Sequence, residues 1–462
     1  MLYICLKYHF IFPPQTIITL NQIFMKKLSL LFFFICTLLT TACSDDFNPY
    51  DKQPINNVET KEKAIIEAAI NARTFFFSEK SRKPISSADV TYITSRESRS
   101  GDLDTLIYAV NFEDGKGFAL LSAVEANMPL LAVTDCGVFN TNGNNNIGVT
   151  DFVKRAQDKL IAIKDTTNKV GDKSHLMFVE TIRDTLSFVN IPKKVSIRWG
   201  QDGSHAKYCP YPPTIKKRAT GCVPTAIAMI MSYFEYPQTI TWTAPEIPKD
   251  SENLKWKDMK VHDFERTNCP NNTRGWCEAT QDAHLQIAKI MREIGYIGSA
   301  KYEEGTNSAS KELEPFTMVD EPGTMAILKK FGFKHSSYVT FKGVNENLLA
   351  ANNILLISAR NGDSSSTGHC FIVDGCWKLV VKTTENVYDT FFNPWVLVSS
   401  RFSTNTNCYM HINWGYDGDS NGYYLDKVFD STKVTKLDDE SRVLRNDTAS
   451  YNNVRYLPVG IY

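Results

Sequence analysis

The sequence has no net charge: Lys and Arg number 51, and so do Asp and Glu. No block of like charges breaks that balance. The concentrated basic face that phosphate binding needs is therefore absent, which excludes nucleic acid as the main partner. The 11 cysteines contain no CxxC pair and no regular spacing, which argues against a zinc ribbon or finger. Beyond residues 28–39 there is no further long apolar run, and no internal repeat appears. What the chain does have is length and apolar content. Its 462 residues allow roughly two or three domains. At 43% hydrophobic and 12% aromatic it can bury a sizeable core.

The N-terminus reads as an address. In "MKKLSLLFFFICTLLTTACSDD", Lys26 and Lys27 form a basic start, Leu28 to Leu39 an apolar stretch too short to stay in a bilayer as a helix, and Thr40 to Ala42 a run of small residues before Cys43. This is a secretory signal. Its end resembles a bacterial lipoprotein lipobox, which implies cleavage before Cys43 and acylation there. A plain secretory signal is the alternative. Residues 1–24 precede a better start at Met25 and are set aside as a start called too early. The expectation is residues 1–42 as signal region and 43–57 as a polar tether. An acyl anchor then holds an exported protein to the outer membrane or cell surface, from which processing could release it.

Two domains are expected after the tether. Residues 58–77 carry a helical pattern. Two apolar runs flank Glu113-Asp114-Gly115-Lys116 as a hairpin. "MPLLAVTDCGVF" adds a strand, and a helix is expected from a cap at Thr150 or Asp151. These make residues 58–192 a small α+β domain without a cluster of chemistry-bearing residues. From residue 193 to 462 Trp, Tyr, Gly and Cys are more frequent. Helices are expected after Cys222 and over 281–295, and strands at 352–360, 370–374, 408–413 and 422–425. Lys193-Lys194 at the boundary is a candidate exposed cut.

The chemistry centres on "RATGCVPTAIAMIMSYFEYP". Gly221 permits an unusual turn before Cys222, and Pro224 is tolerated in a first helical turn. Cys222 is thus placed at a helix N-terminus, where the dipole and unpaired N–H groups favour a thiolate and lower the thiol pKa. The apolar run behind it marks a buried helix. On this segment alone an inert core thiol, half a disulfide and a nucleophile all stay open. Cys269/Cys277 and Cys370/Cys376 are close enough in sequence to pair.

Three further segments favour the nucleophile. His369 in "SSSTGHCFIVDGC" starts a strand beside Gly368 and can take the thiol proton. Asn413 in "HINWGYDG" can orient an imidazole that Trp414 shields. His411 is the less attractive base. Gln201 in "WGQDG" can join the Cys222 N–H at an oxyanion. A structural His, a turn Asn and a loop Gln are the ordinary alternatives.

Taken together, "WGQ" with a later "CP", "ATGCVPTAIAMIMSYFEYP", "IAKIMREIG" with "YEEGTNSAS", "GHCFIVDG" and "HINWGYDG" resemble the streptopain family of papain-like cysteine peptidases, in family order over most of 196–426. The preceding "GFALLSAVEANMPLLAVTDCGVF" resembles the family's inhibitory propeptide. The resemblance implies an α+β papain-like fold, a helical part plus an antiparallel β part, preceded by a small α+β pro-domain. It implies an exported zymogen acting on proteins or peptides as an endopeptidase, inhibited by its own pro-domain, with no cofactor and no metal. It implies Cys222 as nucleophile, His369 as base, Gln201 at the oxyanion, and Asn413 and Trp414 supporting His369. Ser308 and Gly368 would line the substrate cleft. Cys370 stands where the family has Ala, and Tyr416 where it has Trp. The stretch holding "WVLVSSRFSTNTN" is inserted before Asn413, and the family's Gly-rich tail loop has no counterpart in 427–462.

Three other readings compete. Asp417, Asp419, Asn421 and Gly422 fit the start of a calcium loop but lack its Glu and its helices, so a turn is preferred. A zinc site on His369, Cys370 and Cys376 is awkward on one strand. A non-catalytic surface lipoprotein that binds a partner on a decayed peptidase fold is the alternative to an enzyme.

Overall fold

The computed structural model describes residues 58–77, 85, 87–94, 104–124, 129–141, 145–167, 177–260, 278–306, 312–360, 368–389, 396–429 and 453–461. The expected anchor at Cys43, the tether, the Cys269/Cys277 pair and Ser308 lie outside these residues. The fold is α+β. Helix α1 (Val58–Phe76) leads to the strands β1 (Ala88–Thr94), β2 (Thr105–Phe112), β3 (Phe118–Ser122) and β4 (Leu130–Thr134), an antiparallel meander. The Glu113–Gly115 turn joins β2 to β3, with Asp114 and Gly115 at positive φ, which only a short polar residue and glycine adopt readily. Helix α2 (Ile147–Thr167) begins earlier than the Thr150 or Asp151 cap expected. Asn146 Oδ1 accepts from the Val149 N–H at 2.9 Å and caps the helix, while Asp151 is used inside it, 2.7 Å from Arg155. The strand β5 (Met177–Ile191) follows.

The C-terminal part opens with helix α3 (Cys222–Phe234), in which every residue from Val223 to Ser232 is buried. A pair of short strands, β6 (Thr239–Thr241) and β7 (Ser251–Asn253), precedes helix α4 (Glu278–Ile297), which packs beside α3. A hairpin of β8 (Lys301–Thr306) and β9 (Leu313–Met318) and helix α5 (Glu321–Lys330) come next. Short strands β10 (Lys334–His335) and β11 (Val339–Thr340) then lead to β12 (Ile354–Arg360), β13 (Gly368–Asp389), β14 (Val396–Asn413), β15 (Gly422–Leu425) and β16 (Asn453–Gly460).

The strands from the two parts of the chain form one sheet, in the order β1-β2-β3-β4-β15-β14-β13-β12-β16-β10. The joint is β4 on β15, antiparallel, with Gly422 opposite Thr134 and Tyr424 opposite Ala132. Side chains alternate across this sheet. Cys370 and Ile372 face α3 and α4, whereas Phe371 and Val373 face α2. A register shift between Val373 and Gly375 then puts Cys376 on the α2 face. Cys370 and Cys376 thus face opposite sides of one strand. They cannot pair, and with His369 they cannot close around a zinc ion.

The described residues of the inserted stretch do not border the cleft. Residues 377–389 and 396–407 prolong β13 and β14 as an antiparallel ribbon, and β5 pairs along the outer edge of β13 from Cys376 to Asp389. The segment joining β5 to α3 is fastened by Asp374, which is fully buried. Its Oδ2 accepts from the N–H groups of Lys194 (3.0 Å) and Val195 (2.6 Å), and its Oδ1 from His411 Nδ1 (2.6 Å). His411 is thus bound to a carboxylate. Lys193 is exposed, but Lys194 is half-buried and its ammonium donates to the Asn353 carbonyl at 3.0 Å. A cut between them requires this segment to lift away.

Removing the Asp374 carboxylate leaves two buried N–H groups and a buried imidazole without their acceptor. Asp374→Ala is expected to lower unfolding stability by about 3 kcal/mol or more, measured by urea denaturation.

Candidate active site

Gly221 has φ 90 and ψ 158, and a Cβ there would sit 2.9 Å from the carbonyl oxygen of Thr317. Only glycine fits this approach. The turn is tied by side chains. Thr225 Oγ1 donates to the Gly221 carbonyl (2.9 Å), Thr220 Oγ1 lies 2.8 Å from Thr225 Oγ1, and Thr317 Oγ1 donates to the Ala219 carbonyl (2.8 Å). Cys222 is the first residue of α3 and is held rigidly by its buried apolar turns. The Thr220 N–H donates to the Gln201 carbonyl at 2.7 Å, which brings the two segments side by side.

A cavity of about 550 Å³ has Cys222, Gln201, His369 and Gly368 in its lining. It is walled by β9, from Glu314 to Met318, and by Tyr416. The structure thus brings together four of the residues singled out in the sequence. Gln201 Nε2 reaches the Gly415 carbonyl at 3.5 Å.

His369 takes a position that sequence reasoning missed. It is buried, its ring lies over those of Tyr416 (5.2 Å), Phe371 (5.9 Å) and Trp414 (6.1 Å), and its Nε2 is 3.0 Å from the Trp414 carbonyl oxygen. A carbonyl only accepts, so Nε2 carries the proton and Nδ1 holds the lone pair of the neutral ring. Burial lowers its pKa from 6.5 to about 4, against a smaller upward pull from that carbonyl. His369 and Cys222 make no hydrogen bond with each other.

The expected Asn413–His369 bond is not made either. The Asn413 amide donates to the Ile197 carbonyl (2.9 Å), and its oxygen accepts from the Gly415 N–H (3.1 Å). Strand alternation explains the difference: Asn413 faces the segment before α3, while His369 faces α2. Trp414 does contact His369, through its ring and its carbonyl.

The thiol of Cys222 also departs from expectation. Burial pushes its pKa up. The backbone N–H groups of Cys370, Val223 and Cys222, and then the Arg360 charge, pull it down by less. The helix N-terminus acts as anticipated, but desolvation outweighs it without an imidazolium beside the sulfur.

The N-terminal part reaches this site. Ile147 lines the cavity, and the backbone of Gly148 lies so close to the Trp414 ring that a Cβ would come within 2.2 Å of it. Asp135, just past β4, bonds Arg198 (3.2 Å) and Lys193 (3.4 Å), and Cys136 Sγ is 2.6 Å from the Gly418 carbonyl oxygen. The 414–421 segment is a turn between β14 and β15. Its polar groups are used within it or against neighbours: Asn421 Oδ1 accepts from the Trp414 N–H (3.0 Å), and Ser420 Oγ donates to Asp419 (3.1 Å).

A thiol heading a buried helix, with an imidazole and an amide in the same cleft, is the set of groups that cysteine hydrolysis uses. Residues 199–424 match the model of the Peptidase C10 family, the streptopain family of cysteine peptidases. Two solved structures from Prevotella intermedia are similar. A prointerpain A fragment carrying a Cys-to-Ala substitution is 18% identical with a TM-score of 0.44, over 81% of this chain and 99% of that one. Active wild-type interpain A cysteine protease is 20% identical with a TM-score of 0.30, over 51% and 85%. No curated protein matches the chain.

The neutral His369 makes the folded state sensitive to acid. Its pKa is about 4 here and about 6.5 when unfolded, so on acidification the unfolded chain takes up the proton first. The stabilisation is complete above pH ~6.5 and is lost as the pH falls towards ~4, a difference of about 3 kcal/mol. Thermal melts should show the wild type losing more stability between pH 7 and 4.5 than His369→Gln.

Proposed function

We propose that the chain is an exported cysteine endopeptidase made as a zymogen, with residues 58–192 as the inhibitory pro-domain and 193–462 as the peptidase. The observation that carries this reading is that Cys222, His369 and Gln201 line one cavity while Ile147 of the N-terminal part lines it too. In the zymogen the imidazole is parked on the Trp414 carbonyl. Removal of α2 from Trp414 frees the ring to turn its lone pair on Nδ1 towards the thiol.

His369 then takes the Cys222 proton, and the thiolate attacks the substrate carbonyl carbon. The Cys222 N–H and the Gln201 amide hold the oxyanion. As the C–N bond breaks, the imidazolium gives its proton to the leaving amine. Water, deprotonated by His369, then cleaves the thioester and restores the thiol. Trp414 supports His369 in this active form, Asn413 joins it once the ring has left the α2 face, and Ser308 and Gly368 line the substrate cleft. Cys43 carries the acyl anchor of an outer-membrane or surface lipoprotein, and processing releases the peptidase.

Casein incubated with the processed protein and a thiol reductant tests the enzyme. Internal peptides should appear in mass spectra, and Cys222→Ala should lower the rate at least about 10³-fold. If casein breakdown is the same with Cys222→Ala, or absent with both, the peptidase reading fails in favour of a binding lipoprotein. Metabolic labelling with palmitate tests the anchor: incorporation should vanish in Cys43→Ala.

A further inference from the structure

The end of β12 lines the Cys222 cavity. Arg360, the last residue of that strand, lies directly across from Gly368, one residue before His369. Gly368 has no side chain, and the space is taken by the Arg360 stem: a Cβ on Gly368 would come within 3.2 Å of Arg360 Cγ. Ser358 Oγ, on the same face of β12 and itself buried, accepts weakly from Arg360 Nε at 3.4 Å and steers the guanidinium. Among the described lining residues Arg360 is the one Lys or Arg, and it forms no ion pair with any described residue.

The acidic residues lining the cavity do not serve it. Glu314 is held by Lys217 at 3.1 Å. Asp202 and Asp417 belong to the Gln201–Tyr416 wall, where the Asp417 carboxyl lies against the backbone of Gly200. A half-buried guanidinium with donors to spare, close enough to Cys222 to favour its thiolate, is a ready receptor for a carboxylate.

We infer that Arg360 makes the cleft select polypeptides that carry an acidic side chain next to the scissile bond. The selection rests on the peptidase reading above. The substrate carboxylate accepts from the guanidinium, and the apolar wall of Phe316, Met318 and Val319 lowers the local dielectric and strengthens the pair. A Lys or Arg at the same substrate position meets like charge.

The test uses peptide series that differ only in bearing Glu, Gln or Lys at each position around the cleaved bond. At one position the processed wild type should cleave the Glu peptide about 10-fold more efficiently than the Gln peptide, in kcat/KM, with the Lys peptide poorer still. Arg360→Gln should level the series, and Arg360→Glu should favour Lys. Cys222-dependent cleavage without an acidic preference in the wild type, or with one that Arg360→Glu leaves intact, overturns the inference and spares the peptidase reading. Should no peptide be cleaved, that reading fails, and the inference is judged by fluorescence anisotropy with the same peptides on Cys222→Ala. Tighter binding of Glu than Lys peptides, reversed by adding Arg360→Glu, supports it, and equal binding overturns it.

Discussion

The backbone pairing of β4 with β15 is the constraint on which the rest of the site depends. It joins an N-terminal meander to the sheet that carries His369 and delivers everything just beyond β4 onto the 414–421 turn. Asp135 meets Arg198 and Lys193, Cys136 meets the Gly418 carbonyl, and α2 starts against the Trp414 ring. Ladder hydrogen bonds are directional, so this register sets where α2 begins and therefore that Ile147 reaches the cavity.

A second consequence concerns charge. The pocket that receives His369 is aromatic on several sides and offers one carbonyl, so it suits a neutral ring. The thiol of Cys222 is likewise buried and faces no imidazolium, so its neutral form is favoured. A thiolate–imidazolium pair needs each partner to stabilise the other, and with the partners held apart desolvation decides both protonation states. The geometry described here keeps the two groups in one cavity without joining them.

The C-terminal part is braced independently of that contact. Asp374 sits in the sheet, collects the N–H groups of Lys194 and Val195, and orients His411, so the segment running from β5 to α3 is tied to the middle of β13. The ribbon of β13 and β14 extends past this point and takes β5 along its edge. Its length explains how the described residues of a long insertion between His369 and Asn413 are accommodated without entering the cleft: both strands simply continue their ladder.

Local signals were enough for some of the elements, whereas β5, the β8–β9 hairpin, α5, β16 and most of the length of β13 and β14 were not among those expected. The apolar run after Gly221-Cys222, with Pro224 in its first turn, made α3 and its thiol legible, and the Glu113 to Lys116 turn made the β2–β3 hairpin legible. Gln201, His369 and Asn413 could be picked out because each stands in a short segment with a chemical reason to be there. The Asn146 cap was passed over because Thr150 and Asp151 offered equally good capping side chains further on. Arg360 was missed because a cation ending an apolar strand looks like an ordinary solvated terminus. Its neighbour Gly368 and its place beside Cys222 come from pairing across the sheet. By itself the sequence determined the helices at 58–77, after Cys222 and over 281–295 and the β2–β3 hairpin, and it picked out candidate side chains by their chemistry, since periodicity, capping and residue type are local. Only the tertiary structure decided that β4 completes the sheet, that His369 rests neutral on the Trp414 carbonyl while Asn413 turns to Ile197, and that Arg360 faces the cleft. Strand register and burial are set by contacts between residues far apart in the chain, and no local pattern encodes them.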